Sequence, residues 1–153
     1  PVEAQERMSK FGYEEIYVAP PTKGGHPRAM AIDIQPVDKN GAMIDMGSRF
    51  DEFSEKSARN YPHDQNVIDN REKLTTAMVE AGKAYQQEVW PLSSEWWDYR
   101  FPKSVCDSFA PLKEADLYPY QRLINPDIEK AQNITQGEMP EYLSVNLANI
   151  CKP

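Results

Sequence analysis

Thirteen prolines and seven glycines punctuate this 153-residue chain, and they constrain its fold more than any other feature. Proline removes a backbone donor and fixes φ, so long strands and helices cannot run through these positions, and many short elements follow. Residues 2–11 are compatible with a helix but carry few apolar side chains. Residues 15–19 read as a strand that stops at Pro20-Pro21, because a residue before proline is pushed to extended backbone and proline cannot continue a ladder. Gly24-Gly25 lets backbone pass close to whatever lies beside His26. Residues 29–37 alternate small or apolar with polar side chains, Asp38-Lys39-Asn40-Gly41 is a tight-turn signal, and residues 42–46 resume the apolar pattern. These predict a β-hairpin with His26 and Asp33 at its start. Across residues 66–85, Leu74, Ala77, Met78 and Ala81 recur at helical spacing among charged neighbours, so one amphipathic helix is expected to pack across the sheet. Residues 96–101 give the last strand, and the Pro-, Tyr-, Asn- and Asp-rich remainder reads as a tail with short helices near 117–123 and 142–150.

A chain that is 40% hydrophobic and 27% charged has the composition of one globular domain with a real core. The net charge of -7, without clustered Lys and Arg, argues against a nucleic-acid or anionic-membrane partner. No apolar run approaches the roughly 20 residues that a membrane helix needs, and the N-terminus shows no signal-peptide pattern. Cys106 and Cys151 can form one disulfide in an exporting compartment or stay reduced in the cytosol, so their number leaves the compartment open.

Two short segments speak about chemistry. In His26-Pro27-Arg28-Ala29-Met30-Ala31-Ile32-Asp33, a histidine and an aspartate enclose a small apolar alternation, and on a strand-like approach both can turn toward one ion. Zinc accepts that nitrogen and oxygen pair. In Glu95-Trp96-Trp97-Asp98, Asp98 is a third candidate ligand and Glu95 a carboxylate able to take a proton from water. Each residue also has a plainer reading. His26 before proline is ordinarily a loop residue, Asp33 can close an Asx-turn, Glu95 can be a surface carboxylate, and Trp96 and Trp97 are core and site-wall packing rather than substrate platforms. His63 reads as a solvated loop residue, and Asn133-Ile134-Thr135 fits a glycosylation pattern that arises often by chance.

Taken in order, the run from Met8 to Phe101 resembles the D-alanyl-D-alanine dipeptidases, within the zinc metallopeptidase group that also holds D,D-carboxypeptidases and the hedgehog signalling domain. That group's pattern is Ser-x-His-x-x-Gly-x-Ala-x-Asp followed by Glu-x-x-His, often written Glu-Trp-Trp-His. The matches here are His26, Ala31, Asp33, Glu95, Trp96 and Trp97, supported by Tyr17-Val18-Ala19 before the histidine and by Asp45-Met46-Gly47-Ser48-Arg49-Phe50-Asp51 after the hairpin. The resemblance implies an α+β fold, an antiparallel sheet with packed helices and a metal site. It implies His26 and Asp33 as zinc ligands, Glu95 as general base and acid, and Asp51, with Tyr17 nearby, as the receiver of a dipeptide's ammonium. A D,D-dipeptide is a zwitterion, so its site needs an anion for one end and a cation or donor for the other.

The chain departs from the pattern at four points. Gly24 stands for the serine, Ala29 for the glycine and Asp98 for the third histidine. An Asp98 ligand adds negative charge, lowers the Lewis acidity of zinc and favours a harder divalent metal; Asp98 is alternatively a residue that replaced a ligand without being one. The fourth departure is the upstream arginine of the family, which has no counterpart before His26 although arginines stand at 7, 28, 49, 59, 71, 100 and 122. The expectation is therefore the C-terminal catalytic portion of a dipeptidase-like domain in residues 1–101, with residues 102–153 as its wrapping tail. A companion N-terminal segment of the same precursor would supply the arginine. The expected activity is metal-dependent hydrolysis of D-Ala-D-Ala or a related peptidoglycan fragment, in the periplasm or outside the cell, or alternatively in the cytoplasm. The rival expectation is an inactive binding module on the same fold.

Overall fold

The computed structural model describes residues 1–10 and 18–118. The expected strand over 15–19, apart from its last two residues, the expected helix near 117–123, apart from its first two, the helix near 142–150, Tyr17, Asn133 and Cys151 lie outside the described residues. The chain divides into two compact units, Pro1–Lys113 and Glu114–Pro153. In the second, the described residues form a short 3-10 turn over Glu114–Asp116. Everything below concerns the first. No helix among the described residues is long and apolar enough to cross a membrane.

Among the described residues, three α-helices and three strands make an α+β unit: α1 (Val2–Ser9), β1 (Ala31–Asp33), α2 (Gln65–Ala84), β2 (Trp90–Pro91), β3 (Asp98–Arg100) and α3 (Lys103–Cys106). The strands form one antiparallel sheet in the order β1-β3-β2. Helix α2 matches its periodic signal within a residue at each end and starts where Asp64 Oδ1 accepts the Val67 N–H, an N-cap that satisfies an orphan donor of the first turn. Helix α1 is tied down by polar groups: the Gln5 amide donates to Ala19 O and Val2 N–H to Leu112 O.

The expected hairpin is shorter than its pattern. Residues 29–37 and 42–46 meet in a single bridge, Val37 to Met43, around a turn in which Gly41 takes φ +83°. Pro36 has no N–H to extend the ladder and only accepts, from Ile44. Strand β1 instead pairs with β3, placing Ala31 opposite Arg100, Ile32 opposite Tyr99 and Asp33 opposite Asp98. The last strand is likewise confined to Asp98–Arg100, and Trp96 and Trp97 sit in the turn before it.

Both tryptophans are fully buried, and with Met46 they are the centre of the core, against which Ile44, Phe53 and Leu74 pack. Their rings meet edge to face at 5.2 Å, a favourable arrangement of aromatic quadrupoles. Trp96 Nε1–H donates to Ser48 Oγ and Trp97 Nε1–H to Glu95 Oε2. The core therefore fixes the Glu95 carboxylate directly.

Candidate metal centre

The site begins with a tight reversal of the chain. A Cβ on Gly25 would stand 3.0 Å from the Ala31 Cβ, tighter than an ordinary contact, so glycine eases the close approach of the two segments. His26–Arg28 then forms a 3-10 turn, and Ala29 follows in the left-handed region at φ +55°, with Met30 N–H returning to Gly25 O. That is the position where the motif has glycine, and an alanine there carries a cost on the order of 1 kcal/mol. The histidine thus reaches Asp33 from a turn, not along a strand.

Strand register brings the rest. Asp33 and Asp98 are directly opposite across β1 and β3, so they share a face of the sheet. Like charges in such a pair destabilise a sheet unless something positive lies between them. His26 fills that place, with Nε2 at 3.2 Å from Asp98 Oδ2 and 3.4 Å from Asp33 Oδ1. The three ligand atoms lie within 4.8 Å of one another. Asp98 is fully buried, while the His26 and Asp33 side chains are 39% and 27% exposed, so solvent reaches the cluster from one side.

The electrostatics follow from that packing. The hydrogen bond to Asp98 raises the pKa of His26 above its usual value, against burial. Burial pushes the Asp33 carboxyl up to about 6, with Asp98 and Asp51 adding to it and His26 opposing. Burial also acts to raise Asp98, but hydrogen bonds from His26 and Arg100 outweigh it and hold that carboxyl below its ordinary value. Glu95, 6% exposed, is pushed up to about 7 by burial and by Asp98 and Asp33. Burial raises Asp51 as well.

This donor set fits a divalent cation. Asp33 Oδ1 is buried and, although close to His26, has no hydrogen-bond partner among the described residues. An unsatisfied buried acceptor is costly, and a cation between the three side chains would satisfy it. The two distances from His26 also match the roughly 3.3 Å edge of a tetrahedron drawn with ligand bonds of about 2.05 Å. One nitrogen and two carboxylates suit zinc and harder ions alike.

Of the residues singled out from sequence, the structure brings His26, Asp33, Asp51, Glu95 and Asp98 to one cavity of about 430 Å³. Asp51 stands at its rim in the left-handed region, φ +57°. His63 is elsewhere: its ring packs tilted against Tyr61 at 4.9 Å and its Nε2 faces Lys56 O. Sequence reasoning gave no role to Arg100. It lines the same cavity, and its Nε–H and Nη2–H both donate to the Asp98 carboxylate. The signal was its place two residues beyond Asp98, which on a strand puts both side chains on one face.

Two aspartates on an antiparallel sheet and a histidine from the preceding turn lie within coordinating reach, with a buried glutamate beside them, and have the makings of a metallopeptidase site. The family described as D-ala-D-ala dipeptidase matches residues 3–116. The chain belongs to that family. It is 30% identical over 106 residues to the D-alanyl-D-alanine dipeptidase of Escherichia coli, an alignment covering 69% of this chain and 52% of that protein. The chain thus spans about half the length of the curated relative it matches.

Proposed function

We propose that this chain carries the metal centre of a zinc-dependent hydrolase acting on D-Ala-D-Ala or a related D,D-peptide released from peptidoglycan. The observation that carries this reading is the meeting of His26, Asp33 and Asp98 around one point, with buried Glu95 and rim Asp51 lining the same cavity. His26, Asp33 and Asp98 would hold the ion. When bound, zinc supplies a Lewis acid that polarises a carbonyl and makes water easier to deprotonate. Glu95 takes a proton from the attacking water and delivers it to the leaving amine. Burial, the first cause of its raised pKa, brings this carboxyl nearer to neutral pH than an ordinary glutamate, which suits a group that must both take and give a proton. The Trp97 indole N–H on Glu95 Oε2 fixes the carboxylate and leaves its other oxygen for the proton. Asp51 would receive the substrate ammonium. A D,D-peptide released from the cell wall is met outside the cytoplasmic membrane, so the periplasm or the cell exterior is the compartment we propose.

The test is purification under metal-controlled conditions, followed by metal analysis and an assay for D-alanine released from D-Ala-D-Ala. One zinc per chain and release that disappears in Glu95→Gln support the reading. A second reading, a binding module that no longer turns over, draws on the Arg100 contacts to both Asp98 oxygens, which compete with a cation for that carboxylate. Stoichiometric zinc and peptide binding without any D-alanine release would select it.

A further inference from the structure

A zwitterionic dipeptide needs a cation as well as an anion, and the cavity contains one lysine or arginine side chain among its described lining residues, Arg100. We propose that Arg100 is the specificity-determining residue for the free C-terminal carboxylate of the bound peptide, an inference that rests on the dipeptidase reading above.

The guanidinium is held but not spent. Its Nε–H and one Nη2–H go to Asp98, whereas Nη1 makes no hydrogen bond among the described residues. Three of five N–H donors remain, enough to take a carboxylate in a two-point fork. The side chain is 31% exposed while Asp98 is fully buried, so the anchored edge faces the protein interior and the rest is accessible. Anchoring matters energetically, because an arginine already fixed by a buried carboxylate loses little further freedom when it binds a second anion.

The cavity also carries both kinds of charge that a zwitterion requires. Asp51 acts electrostatically on Asp33 and feels His26, whereas Arg100 acts on Glu95, Asp33, Asp98 and His26. Asp51 and Arg100 thus both lie close to the His26, Asp33 and Asp98 cluster and line one cavity with it. In the proposed pose the peptide's ammonium meets Asp51 and its carboxylate meets Arg100. In this account the positive group beside the ligands comes from β3 of the same chain.

The test compares D-Ala-D-Ala with its C-terminal amide, which removes the anion and little else. Equilibrium binding is measured calorimetrically on zinc-loaded protein in a Glu95→Gln background, so that turnover does not intervene, and zinc content is measured in parallel. The expected result is a preference for the acid of about 100-fold, the size a charged hydrogen-bonded partner supports. In Arg100→Gln the preference falls to within about threefold, and Arg100→Lys, which keeps the charge and loses the fork, is intermediate. Lys also guards against a fold that collapses when Asp98 loses its partner. Equal affinity for acid and amide in the parent, or a preference that survives Arg100→Gln, overturns the inference. So does a variant that loses zinc and weakens both ligands equally, since Arg100 would then only support Asp98. Absence of D-alanine release by the protein with Glu95 intact, with the acid preference retained, counts against the dipeptidase reading alone.

Discussion

Two arginines flank β3 and use their charge in opposite ways. Behind the strand, Arg59 donates to the carbonyls of Leu92, Trp96 and Asp98 and to the hydroxyls of Thr75 and Tyr99. Its guanidinium lies 4.7 Å from the Tyr99 ring centroid. All five N–H donors are occupied, and none of these acceptors is a carboxylate. In front, Arg100 places two donors on Asp98 and leaves the others toward the cavity. Arg59 is architecture: it ties the turn carrying Glu95, Trp96 and Trp97 to α2 through Thr75. Arg100 keeps its charge for ligands. The alternation of β3 separates the roles, because Tyr99 points to the helix side while Asp98 and Arg100 point to the site.

The largest effects should fall on chemistry at the front. Glu95→Gln should lower kcat for D-Ala-D-Ala by about 100-fold to 10,000-fold, the usual contribution of a positioned general base, while zinc content stays at the parental level. Loss of zinc in that variant would show that Glu95 is a ligand. At the back, Arg59→Ala should cost about 3 kcal/mol or more in urea denaturation, since several buried acceptors lose their donor at once. An Arg59→Ala protein as stable as the parent would erase the contrast between the two arginines.

The front face also carries a pH signature. Glu95 rises from its ordinary 4.5 to about 7 on folding and Asp33 from 3.8 to about 6, and His26 is raised as well. For a group whose folded pKa is raised, the stabilisation is complete below the unfolded value and is lost as pH climbs through the folded one. The metal-free protein should therefore lose stability between about pH 4.5 and 7, unlike a protein whose carboxylates are held low by partners. Zinc needs these ligands deprotonated, so its affinity and its increment in Tm should grow over the range in which Asp33 and His26 release their protons. A thermal scan with and without zinc across that range checks the sign. A smaller effect should come from Ala29→Gly, which relieves the left-handed alanine at φ +55° and should stabilise the fold by up to about 1 kcal/mol.

How far the sequence could be read depends on the range of each interaction. Helix α2 was legible because its period is local and its cap adjoins it. The hairpin was over-read: alternation and a good turn predict pairing, but Pro36 ends it and β1 finds a better partner in β3, far along the chain. No local pattern carries that register, so the facing of Asp33 and Asp98 could be expected only from the family match. His26 comes within 3.4 Å of Asp33 by a 3-10 turn, where the sequence suggests an extended approach. Arg100 went unassigned because arginine was sought upstream of His26, whereas strand alternation puts this one beside Asp98. Tyr17, the other expected substrate contact, lies outside the described residues.

The central claim is that His26, Asp33 and Asp98 hold one divalent ion. X-ray absorption at the zinc edge, on protein loaded with one equivalent of zinc, reads that first shell directly. The account predicts one histidine nitrogen and carboxylate oxygens at about 2.0–2.2 Å, with the nitrogen contribution absent in His26→Ala and zinc affinity sharply reduced in Asp33→Asn. A shell without histidine, or a spectrum unchanged by His26→Ala, would contradict it.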